Sequence, residues 1–306
     1  MNGFILGIGV IVLAGLGAMP FFVSNYIVTF TIQLFMWVAL AGSWNLISGF
    51  TGYVSFGHVA FFGTGAYTGA ILISKAGWHW VPAALAGSLT AVVLALIIGY
   101  PCLRLRGPYF AIAMLGLNEV VRALVSYFEG LTGGGSGISL KPILSLQPVY
   151  YAMGGVALTV VLLTYRIMTS RFGLRLLSIR EDELAAEAMG IDTARLKLYA
   201  FLLSATFPGI AGGFWAWYTS HIEPLGTFQL LTTITMIIMC LFGGKGTVLG
   251  PVVGAALLSI FQEIVWVRFL WLHQAIFGAL IVGVVLLVPK GILGVLQERY
   301  RLPRVI

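Results

Sequence analysis

Charge is what this chain has least of. Asp, Glu, Lys and Arg make up 9% of its 306 residues, where a soluble domain carries about a quarter, and the mean hydropathy is +1.01. A soluble enzyme or a nucleic-acid-binding domain does not fit that balance. Cysteine is scarce as well. Cys102 and Cys240 lie far apart in or beside apolar runs, so there is no disulfide framework and no C-x-x-C metal pattern. The four histidines, His58, His79, His221 and His273, are scattered, which speaks against a metal centre or a membrane-embedded catalytic cluster. No catalytic and no metal-ligating residue is therefore expected. A phosphate-binding G-x-x-x-x-G-K-[ST] is missing too: "LFGGKGTVLG" (241–250) has a Gly-Lys pair without the spacing. If ATP is used, another subunit binds it.

What the chain does have is apolar runs of spanning length. A transmembrane helix needs about 20 such residues, and ten segments qualify, near 3–22, 27–47, 55–74, 81–101, 107–128, 148–166, 197–219, 228–243, 250–268 and 274–289. Residues 1–20 carry no basic n-region and read as a first span rather than a cleaved signal peptide. Basic residues accumulate on the cytoplasmic side of membranes. Ten spans with both termini inside put Arg104, Arg106, Arg166, Arg171, Arg175, Arg180, Arg195, Lys197, Lys245, Lys290, Arg299, Arg301 and Arg304 there, against Lys75, Lys141 and Arg268 outside. The net charge of +7 is thus a topology signal, with no nucleic-acid partner. The expected architecture is an all-α, polytopic helical bundle with Gly-broken segments. It forms a single transmembrane domain over 1–306, with a cytoplasmic loop at 166–197.

Within that bundle "SGFTGYVSFGHVAFFGTGAY" (48–67) is unusually rich in glycine and aromatic residues. Backbone that leaves helical geometry at membrane depth is tolerated where protein or a water-filled cavity satisfies it, and transporters use such breaks to meet substrate near the midplane. On that reading Gly49, Gly52 and Gly57 permit the break, and Asn45, Ser55 and His58 supply polar contacts. Phe56, Phe61 and Phe62 line a path for an aliphatic side chain. A lone His in an apolar span is as readily a structural hydrogen-bonder. Gly65 and Gly69 form a G-x-x-x-G packing face. In the fifth span Asn118 and Glu119 are further pathway candidates, although Glu119 and Arg122, three apart, are equally suited to pair with each other. Gly246, Gly250 and Gly254 recur every four residues, as tight packing or as a second Gly-rich break.

The loop sequence "LLSIREDELAAEAMGIDTARLK" (176–197) has the grammar of a short helix. Ser178 and Glu181 have capping-box spacing, Gly190 suits a left-handed C′ position, and Asp192 suits the N-cap of the next span. Leu184, Ala188 and Ile191 fall on one stripe and Arg180, Glu183 and Glu187 on another. Either this helix merely closes a connection or it docks into a groove of a cytoplasmic partner.

Several blocks carry a resemblance. "NLISGFTGYVSFGHVAFFGTGAYTGA" (45–70), "LRLRGPYFAIAMLGLNEVVRAL" (103–124), "LTGGGSGI" (131–138), "RFGLRLLSIREDELAAEAMGIDTARLKLYAFLLSATFPGIAGGFWA" (171–216) and "FGGKGTVLGPVVGA" (242–255), in that order, resemble LivM-type permeases. These are membrane subunits of ABC importers for branched-chain and other hydrophobic amino acids. The resemblance implies a second permease subunit in a heterodimer, two cytoplasmic ATPase subunits that bind ATP and Mg, and a periplasmic or external substrate-binding protein. It also implies residence among the lipids of the bacterial cytoplasmic (inner) membrane. By position, Arg180, Glu181, Glu183, Ala186, Glu187, Ala188, Met189, Gly190 and Ile191 are the ATPase-coupling segment. The chain departs from the EAA-three-residues-Gly spacing of other importers, since Glu183 precedes Gly190 by seven. No residue reads out one side chain uniquely, so leucine, isoleucine and valine are favoured over other small hydrophobic solutes by resemblance alone. An ion-coupled secondary transporter or a channel for small organic solutes is the alternative. The former is expected to bury more carboxylates than Glu119 and Glu263.

Overall fold

The computed structural model describes residues 14–105, 107–268 and 291–300, with positions 276, 278, 279, 282 and 283. The expected last span, 274–289, falls almost wholly outside these, as do residues 1–13 of the expected first. The long helices are α1 (Asn25–Trp44), α2 (His58–Ala76), α3 (Trp80–Cys102), α4 (Pro108–Tyr127) and α5 (Gln147–Met168). After them come α6 (Arg171–Glu181), α7 (Glu183–Ala188), α8 (Thr193–Thr219), α9 (Leu230–Gly243), α10 (Gly250–Arg268) and α11 (Gly291–Tyr300). Among the described residues six helical segments are long and apolar enough to cross a membrane: Asn25–Gly49, Trp80–Cys102, Pro108–Tyr127, Gln147–Met168, Thr193–Thr219 and Pro224–Gly243. Gly250–Val265 is a shorter apolar helix.

Helix α2 is not among the six, yet it lies at the centre. Its glycines explain why. A Cβ on Gly65 would overlap the Gly209 backbone of α8, and one on Gly69 would sit 3.1 Å from Gly213 Cα. Gly87 of α3 faces Gly65 in the same way, and Gly212 faces the Phe62 carbonyl. Lipid supplies no hydrophobic drive between helices, so close backbone approach through small residues holds α2, α3 and α8 together. Gly65→Val is expected to lower the melting temperature of the purified protein sharply. Gly116→Ala, whose Cβ meets nothing within 4 Å, should leave it unchanged.

At the end where α8 finishes, residues 129–139 close over the bundle. Gly133, Gly134 and Gly137 all have positive φ, which glycine adopts without steric cost. They turn the chain so that Ile138 and Ser139 pair antiparallel with Ile222 and His221. Cys102 and Cys240 are both free.

The loop at 166–197 folds differently from its sequence grammar. Ser178 is not an N-cap: it lies inside α6, with its hydroxyl donating to the Leu174 carbonyl at 3.1 Å. The caps are Ser170, which accepts from Gly173 N, and Asp182, which accepts from Ala185 N at 3.0 Å. Two helices therefore replace one, because Asp182 with φ −157° and ψ 111° breaks the run. Gly190 does adopt φ 81°, and Asp192 does cap α8 through Arg195 N at 3.1 Å.

Candidate functional site

The break expected after α1 is present, at the end of the bundle nearest α6 and α7. Helix α1 widens into a π-helical turn over Asn45–Gly49. The chain then loses regular structure, with Gly52 at φ 80°, before α2 starts at His58. Such π-turns free backbone groups and are frequent at functional sites. Here those groups find internal partners. Trp44 Nε1 donates to the Ser55 carbonyl at 2.8 Å, Ser55 N donates to Ser48 Oγ at 3.3 Å, and Ser55 Oγ lies 2.9 Å from His58 Nδ1. Phe61 packs edge-on against His58 and against Phe201 of α8, while Phe56 is half-buried. Asn45, Ser55, His58 and Phe61 are fully buried.

Asn45 reaches furthest. Its side-chain carbonyl accepts from Gly246 N at 2.7 Å and its amide donates to the Thr247 carbonyl at 2.8 Å. It thus joins the first break to a second one, the irregular link between α9 and α10, which sequence alone could only suspect. Of the three repeating glycines there, Gly246 lies in the link at φ 77°. Gly250 and Gly254 lie on α10, where a Cβ would strike the Gly244 and Met239 carbonyls of the α9 side.

The α6–α7 pair grips this region at two points. Arg180 donates to the Gly49 carbonyl at 2.9 Å, and its guanidinium fills the space left by the absent Cβ of Gly246. The second grip is a charged node. Lys197, on the first turns of α8 and 3% exposed, donates to Glu183 Oε1 at 2.6 Å, Tyr53 OH at 3.0 Å and the Leu103 carbonyl at 3.2 Å. An ammonium has three protons to give, and all three are placed. Tyr53 OH in turn donates to Glu183 Oε2 at 2.6 Å. Helix α7, the chain just before α2, the end of α3 and the start of α8 therefore meet at one ion pair.

The node fixes the setting of α7. Glu183 turns inward with Ala186, which is buried, and Glu187 accepts from Thr193 Oγ1 at 2.6 Å. Leu184, on the stripe shared with Ala188 and Ile191, is 60% exposed and Met189 is 83% exposed. Glu181 and Ala188 are exposed and Ile191 is half-buried.

The fifth-span candidates separate. Asn118 is buried and donates to the Phe228 carbonyl at 2.9 Å. Glu119 pairs with Arg122 on an outward surface of α4. Among the described residues no group of three or more His, Cys, Asp or Glu is placed to hold a metal.

The family model for the permease component of branched-chain amino acid transport systems matches residues 26–285. The chain belongs to this family. The LivM permease of the high-affinity branched-chain amino acid transport system of Escherichia coli K12 is 29% identical over 93% of this chain and 74% of its own length. The probable LivM permease of Methanocaldococcus jannaschii is 26% identical over 67% of the chain and 68% of its own length. The LivH permease of E. coli K12 is 24% identical over 89% of the chain and 97% of its own. No solved structure matches the chain. The blocks that resemble LivM-type permeases lie within the matched region, and the permease's two breaks and its charged node lie there too.

Proposed function

We propose that the permease is one membrane subunit of an ABC importer that carries branched-chain or related hydrophobic amino acids into a bacterial cell. In this reading ten spans, including those in the undescribed regions, place both termini in the cytoplasm. Residues 166–197 form the cytoplasmic coupling loop of the single transmembrane domain. A LivH-like permease completes the pathway in the inner membrane, two ATPase subunits bind ATP and Mg, and an external binding protein delivers substrate.

The observation that carries the mechanism is the pair of grips on α6–α7. A push on exposed Leu184 and Met189 reaches the first break through Arg180 and Gly49, and reaches α8 through Glu183 and Lys197. Asn45 passes the movement to the second break. Among the candidates Ser55, His58 and Phe61 are buried and Phe56 is half-buried in this conformation. Substrate passage past them therefore requires the break to open, the kind of discrete rearrangement that packed elements permit.

The test is ATP hydrolysis and leucine uptake by the complex reconstituted in liposomes with its binding protein. Wild-type complex is expected to raise its hydrolysis when leucine-loaded binding protein is present. Leu184→Glu combined with Met189→Glu should abolish that response and uptake, with no change in melting temperature, because neither side chain is buried. Leucine entry without ATP would sink the importer reading in favour of a secondary transporter or channel.

A further inference from the structure

At the end of the bundle opposite α7 lies a cavity of about 520 Å³, within the roughly 300–1,000 Å³ typical of small-molecule sites. Its floor is made by an unusual piece of chain. After pairing with residues 138–139, the segment 223–229 dips inward. Phe228 is buried to 1%, stacks on Tyr67, and its carbonyl accepts from Asn118, midway along α4. Helix α9 then starts at Leu230 and has 14 residues, about 21 Å at 1.5 Å per residue, against a hydrocarbon core of about 30 Å. It follows the helical turn Pro224–Thr227, with which it makes up one span-length segment, and no side chain caps it. Uncapped amides at a helix start carry a partial positive charge that favours an anion.

The walls have a matching division of labour. Trp37 and Trp215 supply apolar surface, Gln33, Gln229 and Gln262 supply amides, and Glu223 supplies a carboxylate. Among the described residues the carboxylate of Glu223, an exposed residue, makes no hydrogen bond or ion pair, while the Glu223 backbone carbonyl accepts from Thr227 N at 3.0 Å. An unpaired carboxylate lining a cavity of mixed aromatic and amide walls, beside an uncapped helix start, offers one place for an ammonium and one for a carboxylate. Two other cavities among the described residues lack that combination. The one beside Arg180, of about 260 Å³, is lined by Asp182 and Glu183, and Glu183 is committed to Lys197.

We propose that this cavity binds a free zwitterionic α-amino acid with an aliphatic side chain. Its ammonium pairs with Glu223, its carboxylate lies at the start of α9 with Gln229, and its side chain lies against Trp37 and Trp215. The proposal rests on the importer reading and adds to it a site of which the sequence had singled out only Phe62 as a pathway residue. Recognition of both charged ends selects an amino acid over an amine or a fatty acid of the same shape, because the mismatched end leaves a polar group unpaired.

The experiment uses the assembled complex in lipid nanodiscs, with no nucleotide and no binding protein, and measures tritiated leucine by scintillation proximity. Isoamylamine and isocaproate, which each lack one charged end, serve as competitors. Leucine is expected to bind saturably, with both competitors far weaker. Glu223→Gln should weaken leucine by about tenfold or more and remove its advantage over isocaproate. Gln229→Ala should weaken it less, and neither variant should shift the melting temperature. ATP-driven uptake by the same preparations separates the two readings. Continued uptake with wild-type binding in both variants, or with no leucine binding to wild type, overturns the cavity site alone. Occupation by lipid that leucine does not displace also overturns it. If no amino acid is taken up at all, the importer reading fails and the site falls with it.

Discussion

Lys197→Met is expected to abolish ATP-driven uptake and to lower the melting temperature of the purified complex by the largest margin of any single polar substitution. The methionine matches the length of the stem but removes the cation from a site where Glu183 is 16% exposed at its side chain. Breaking one side of a buried pair costs about 3–5 kcal/mol, because the remaining charge stays desolvated. The Leu103 carbonyl and Tyr53 hydroxyl also lose their donor. Adding Glu183→Gln should restore much of the melting temperature, since replacing both charges is often close to neutral. It should not restore uptake, because the charged tie between α7 and α8 would be gone, leaving the Thr193–Glu187 hydrogen bond. Recovery of both by the double variant would show that the node stabilises without transmitting. Full activity of Lys197→Met would remove the node from the mechanism.

Asn45→Leu is expected to have the second largest effect. The substitution keeps the branch at Cγ but orphans Gly246 N–H and the Thr247 carbonyl, both buried behind a side chain with no exposure. Each orphaned group costs about 1–3 kcal/mol. Asn45→Asp separates the two bonds: it can still accept from Gly246 N but cannot donate to Thr247. The expected order in uptake and melting temperature is wild type, then Asp, then Leu, with the Asp variant penalised further by a buried charge. Leu behaving as wild type would mean that the two breaks move independently.

Much of this architecture was legible because it obeys local rules. Apolar runs of spanning length, the glycine-rich interruption after Trp44, the left-handed Gly190 and the Asp192 cap each depend on neighbours a few residues away. Setting α7 was harder. Its two stripes did not say which side faces the bundle, and that side is set by a charge 14 residues downstream, with which Glu183 pairs. Ser178 was misread for a related reason: Ser170 and Asp182 offered earlier and later caps, and one helix became two. The tie from Asn45 to Gly246, the depth of Phe228 and the strand pairing of 138–139 with 221–222 carry no local signature. They are products of chain segments meeting across the bundle. Lys197, which had counted only as one more cytoplasmic basic residue, proved to be the most thoroughly bonded cation among the described residues.

The Asn45 tie also has a consequence for how the permease is made. Its two partners lie 201 and 202 residues downstream. At about 5–20 residues per second, synthesis takes roughly 10–40 s to bring them out. Through that interval the end of α1 carries an Asn45 amide without these two partners. The nascent protein is therefore at its most vulnerable to membrane quality control while its N-terminal half is already inserted. The step that ends this exposure is the arrival of the short link between α9 and α10.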